Sequence, residues 1–146
     1  MTIVVATDFS DAAAAGEAQA LRVACRFDAE LLVLHVAIES PLYGEGPLGM
    51  ADVRTVYEAA RKWATGQLES RVAAARAAGG RARSALRIGV PHEEIVRVAT
   101  EEKAEMVVVR THGRSGLDRL LLGSVAERVV RLAPCPVLTV RPAEKK

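Results

Sequence analysis

Aromatic side chains make up only 3% of the 146 residues, too few to supply the stacking platforms of a single-stranded nucleic-acid binder. Charge of one sign is also lacking: 20 Lys and Arg stand against 18 Asp and Glu, interspersed along the chain, for a formal net charge of +2. No polyanion-attracting field follows, so a nucleic-acid partner is not expected. The two cysteines, Cys25 and Cys135, form no CxxC pair, and each reads as a small buried hydrophobe rather than a redox or metal group. No apolar run approaches membrane-spanning length. The start, Thr2-Ile3-Val4-Val5-Ala6, is strand-like and carries no basic segment leading into a cleavable apolar one. The expectation is a soluble, cytoplasmic protein with no membrane partner.

What the chain does have is hydrophobic content of 50%, enough at this length for one domain, residues 1–146, around a single core. Short β-branched runs at Ile3–Thr7, Leu31–Ala37 and Met106–Val109 suit strands buried on both faces. Arg81–Ile88 alternates like a strand with one exposed face, and Pro136–Val140 is a final strand. Between them lie helical stretches: Asp11–Phe27 capped by Ser10, Asp52–Ala78 closed by Gly79-Gly80, Pro91 to about Glu102, and Ser124–Leu132. In the second helix Val53, Val56, Ala60, Trp63, Ala64 and Leu68 fall on one predicted apolar face. Ser40–Gly49, with three glycines and two prolines, reads as a mobile loop. Strands alternating with helices imply an α/β, doubly wound, five-stranded parallel sheet of order 3-2-1-4-5. Its ligand crevice is expected outside the carboxyl ends of strands 1 and 4.

One of the loops bordering that crevice carries Thr111-His112-Gly113-Arg114 and, after eight more residues, Gly123-Ser124 at the start of a helix. Glycines admit close backbone approach to an anion, and a helix N-terminus offers unpaired N–H groups with partial positive charge. Arg114 and Arg119 are cations at the loop's rim. The alternative for Gly123-Ser124 is a helix N-terminus with no ligand. Asp8, at the carboxyl end of strand 1, is open to an Asx-type turn or helix cap with Ser10 as well as to a ligand role. His35 is expected to be a hydrogen-bonded core residue at a strand end, His92 to lie in the first turn of a helix, and His112 to be the one histidine inside the site. They make no metal triad, and no carboxylate orients His112 toward Ser124, so no catalytic residues are assigned.

The segments Thr7-Asp8-Phe9-Ser10, His35-Val36, Gly89-Val90-Pro91-His92-Glu93-Glu94-Ile95 and the loop ending Gly123-Ser124-Val125 together resemble the universal stress proteins over the whole chain. Nucleotide-binding members carry a last loop of the form G-x2-G-x9-G-[ST]; here Gly113 and Gly123, with nine residues between them, and Ser124 match it, and Arg110 stands at the first glycine. The resemblance implies a Rossmann-like fold and a site for ATP, with Mg²⁺ or Mn²⁺. Thr7, Asp8 and Val36 would lie at the adenine and ribose end, Gly89 close to the nucleotide, and Arg110, His112, Gly113, Arg114, Gly123, Ser124 and Val125 around phosphate and ribose. It also implies a stress-response regulator with little or no catalysis, and a homodimer through the last strand. Arg110 either reaches the phosphates or obstructs the site, and the second case leaves a dimeric adaptor that binds no nucleotide.

Overall fold

A computed structural model describes residues 1–39, 50–111 and 122–142. Five strands, β1 (Thr2–Ala6), β2 (Glu30–Ala37), β3 (Arg81–Ile88), β4 (Met106–Arg110) and β5 (Val137–Val140), alternate with α1 (Asp11–Arg26), α2 (Met50–Ala77), α3 (Pro91–Glu101) and α4 (Ser124–Leu132). The strands form an all-parallel sheet in the order β3-β2-β1-β4-β5. Strand order and element order are those the sequence implies, with ends shifted by one or two residues.

Because every strand runs the same way, both faces of the sheet are covered and the central strands are apolar throughout. On one face Ile3, Val5, Leu31, Val33 and Val108 pack with Ala20 and Ala24 of α1 and Leu68, Val72 and Ala75 of α2. On the other, Val4, Leu32, Leu34, Val107 and Val109 pack with Ile95, Val98 and Ala99 of α3 and Ala126 and Val129 of α4. Ala13, Ala20 and Ala24 of α1 form its buried stripe with Gly16, which brings the helix close against the strands.

The caps explain where the helices stop. The Ser10 hydroxyl accepts the Ala13 N–H at 3.2 Å, as an N-cap should. At the end of α2 the Gly79 N–H donates to the Arg76 carbonyl and the Gly80 N–H to the Ala75 carbonyl, both at 3.0 Å. Gly79 has φ +91°, a conformation that glycine adopts without a Cβ penalty. Arg61 grips the Glu39 carboxylate with two 2.6 Å bonds, tying α2 to the exit of β2 and holding the Glu39 carboxyl below its usual range.

Two expectations are corrected. Cys25 is exposed: it follows Ala24, which is on the buried stripe of α1, and one residue along a helix turns a side chain by about 100° toward solvent. In α2, Val56, Ala60 and Trp63 are exposed, whereas Ala64, Leu68, Val72 and Ala75 make the buried stripe. The 28 residues of α2 span about 42 Å, against about 26 Å for the eight of β2. The helix is longer than the strands it packs on, and its first half overruns them. The Ser40–Gly49 loop lies outside the described residues.

Candidate nucleotide site at the carboxyl edge of the sheet

The chain leaves β1 through Thr7-Asp8-Phe9-Ser10, and nearly every polar group of this turn has a partner. The Thr7 N–H donates to the Leu34 carbonyl of β2 at 2.9 Å, extending the ladder by one residue. The buried Thr7 hydroxyl donates to Glu17 of α1 and accepts the Phe9 N–H at 3.1 Å. His35 lies as expected at a strand end and donates from Nδ1 to the Thr7 carbonyl at 2.7 Å. Since a carbonyl only accepts, this contact places a proton on Nδ1.

Phe9 has φ +63°, a left-handed backbone that costs a non-glycine residue of order 1–3 kcal/mol and persists only where surrounding contacts over-determine it. Those contacts are present. The ring stacks on His35 with centroids 4.2 Å apart and meets Trp63 edge-on at 5.4 Å. Arg71 of α2 lies 4.8 Å over the ring, donates to the Phe9 carbonyl at 3.2 Å and pairs with Glu17 at 2.9 Å. The strained residue turns the chain and presents Asp8 at the sheet edge.

Asp8 makes the Asx turn that was one of its two readings: Oδ1 accepts the Ser10 N–H at 3.0 Å and the Ser10 hydroxyl at 2.5 Å. Arg110, at the end of the neighbouring strand β4, donates Nη2 to Asp8 Oδ2 at 2.7 Å and Nη1 to Ser10 Oγ at 3.2 Å. The expected crevice between strands 1 and 4 is thus bridged by an ion pair.

The other predicted residues are arranged around this pair. Val36 is half-buried near the end of β2, one strand over from β1. Gly89 follows β3; its N–H donates to the Ala37 carbonyl at 3.0 Å, its φ is +152°, and an added Cβ would meet Glu94 Cγ at 3.0 Å. Backbone geometry and the buried Glu94 therefore require glycine here. Gly123 is the N-cap of α4, its N–H bonded to the Thr111 carbonyl just beyond β4. Among the described residues no side chain caps this helix, and Ser124 and Val125 are exposed in its first turn. His112, Gly113 and Arg114, with Arg119, lie outside the described residues. His92 sits in the first turn of α3.

Sequence reasoning missed Glu17 and Arg71 as supports of the turn, and missed Ser10 as an acceptor for Arg110. Glu17 carried a signal, being the one charged residue between Asp11 and Arg22 of the alanine-rich helix. Among the described residues no group of His, Cys, Asp or Glu is arranged to hold a metal, and no helix is long and apolar enough to cross a membrane.

Comparison with known proteins identifies the family. Residues 1–141 match the profile of the universal stress protein family. Universal stress protein MJ0531 of Methanocaldococcus jannaschii is 36% identical over 99% of this chain and 84% of its own length. A universal stress protein of Thermus aquaticus is 37% identical over 96% of this chain and 98% of its own. Among solved structures, the hypothetical protein MJ0577, whose biochemical function was assigned from its structure, aligns with TM-score 0.84 and 26% identity over 99% of this chain and 97% of that one. A universal stress protein in complex with cAMP aligns with TM-score 0.67 and 28% identity over 96% and 95%. One from Archaeoglobus fulgidus in complex with dAMP aligns with TM-score 0.64 and 27% identity over 95% and 96%. The chain belongs to the universal stress protein family.

Proposed function

We propose that this protein binds an adenine nucleotide, ATP with Mg²⁺ or Mn²⁺, at the carboxyl edge of its sheet and acts as a cytoplasmic stress-response regulator rather than an enzyme. The observation that carries the reading is the start of α4. A helix that begins at Gly123, beside the end of β4 and with no side-chain cap among the described residues, has first N–H groups suited to an anion. Ser124 adds a hydroxyl there. The relatives in complex with cAMP and dAMP support the nucleotide class. Thr7, Asp8, Val36 and Gly89 would border the nucleoside, Arg110 and the loop with His112, Gly113 and Arg114 its phosphates, and Gly123, Ser124 and Val125 the phosphate end.

The non-catalytic part of the reading rests on Asp8. Its carboxylate already holds three donors from Ser10 and Arg110, which leaves little capacity to take a proton from an attacking water. Regulation would then follow from occupancy, a nucleotide shifting the population of conformations around the site. The dimer would form through β5, an edge strand paired on one side by β4, with Val137–Val140 only half-buried in the isolated chain. Light scattering at micromolar concentration should report twice the chain mass; a monomer would remove this element.

The Arg110–Asp8 pair favours a second reading, in which the guanidinium closes the crevice and the protein is a dimeric adaptor without nucleotide. Analysing the small molecules released on denaturing the purified protein separates the two. An adenine nucleotide is expected; none released, and no binding at millimolar ATP, would leave the adaptor.

A further inference from the structure

The carboxylate at the carboxyl end of β1 is engaged before any ligand arrives. Oδ1 of Asp8 takes both donors of Ser10, and Oδ2 takes Arg110 at 2.7 Å. The Arg110 side chain is 14% exposed against 36% for Asp8, so the cation is the more enclosed partner and is held against the carboxylate from the β4 side. A second bond, Nη1 to Ser10 Oγ at 3.2 Å, fixes its orientation.

A carboxylate reads a ribose by accepting from its hydroxyls, and uses the same lone pairs to hold a divalent cation. Here a sugar hydroxyl, a neutral donor, would have to compete for the Asp8 oxygens with a guanidinium that is already ion-paired to them, and the ion pair is the stronger of the two. A dication at Asp8 would stand beside a fixed positive charge. Neutralising the carboxylate at the same time removes a negative charge that would repel a polyphosphate, and the guanidinium fork suits phosphate oxygens.

We infer that Arg110 silences sugar recognition at Asp8, so that this chain takes adenine nucleotides without discriminating the ribose hydroxyls and seats any divalent cation on the phosphates rather than on Asp8. The inference rests on the nucleotide-binding reading above and specifies its ligand class: ribo- and deoxyribonucleotides alike.

Calorimetric titration of the wild-type protein and of Arg110→Gly with ATP and with 2′,3′-dideoxy-ATP tests it. The wild-type affinities should agree within about threefold, less than one good hydrogen bond contributes, while Arg110→Gly, its Asp8 released, should prefer ATP by about tenfold or more. A wild-type preference for ATP beyond threefold overturns the inference and leaves nucleotide binding intact, as does an Arg110→Gly preference no larger than the wild-type one. Absence of binding by all four combinations overturns both. The wild-type pair of titrations needs no variant and decides alone if Arg110→Gly does not fold.

Discussion

The turn after β1 and the first turn of α4 lie at the same edge of the sheet, yet one is closed by its own side chains and the other, among the described residues, is not. In the β1 turn, Thr7, Asp8, Phe9 and Ser10 are held by Glu17, His35, Arg71 and Arg110. In α4, Gly123 caps without a side chain and Ser124 is exposed. Polar residues satisfied from within set the shape of a site, whereas backbone donors left without a cap are those a ligand can use. The two regions should therefore respond differently to substitution, the first mainly in stability and the second mainly in binding.

The largest effect is expected at Arg71, whose loss removes the partner of Glu17, the donor to the Phe9 carbonyl and the cover of the Phe9 ring. Arg71→Ala should cost about 2–3 kcal/mol in urea unfolding, between the values for exposed and fully buried pairs; a loss below about 0.5 kcal/mol would show that the strained turn stands without it. Asp8→Ala comes next, at about 1–2 kcal/mol, because Arg110 loses its ion-pair partner and the Ser10 N–H loses its acceptor. Restoration of stability in Asp8→Ala/Arg110→Ala would confirm that the penalty comes from the orphaned cation; additive losses would not.

Ser124→Ala should leave stability within about 0.5 kcal/mol, since no side-chain cap is lost, but weaken ATP by about tenfold while sparing adenosine. Equal loss for both ligands would remove Ser124 from the phosphate end. The smallest effect belongs to a region distant from both, where Arg83 bridges Glu30 and Glu102. Hydrogen bonding to Arg83 holds the Glu102 carboxyl below its ordinary value of 4.5. A depressed carboxyl contributes stability above its unfolded value and loses it as pH falls through the lower folded one. Glu102→Gln should therefore reduce acid sensitivity below pH 4.5 by under about 1 kcal/mol, without touching nucleotide affinity; an unchanged acid profile would remove the pair from that balance.

Strand order and helix caps were legible because they rest on local patterns: β-branched runs, Ser10 before an alanine-rich helix, Gly79-Gly80 after a long one. The Arg110–Asp8 contact was not, although the strand order makes β1 and β4 neighbours. These residues are 102 apart in the chain, and whether Arg110 turns toward a loop or across the sheet edge depends on the Ser10 and Asp8 oxygens waiting there, which no spacing reveals. Trp63 was misplaced because helical periodicity says which residues share a face and not how far the sheet extends beneath them. Glu17 was overlooked since its role depends on Thr7 and Arg71, brought together only by packing.

The most direct test of the central claim is thermal unfolding of the intact protein in millimolar ATP with Mg²⁺, with GTP as the comparison. A ligand that binds only the folded state adds about 2.7 kcal/mol at a hundredfold excess over its Kd, which for a chain of this size raises Tm by about 5–10 °C. ATP should produce a rise of that order and GTP a smaller one, whereas a Tm unchanged by millimolar ATP would contradict nucleotide binding at this edge of the sheet.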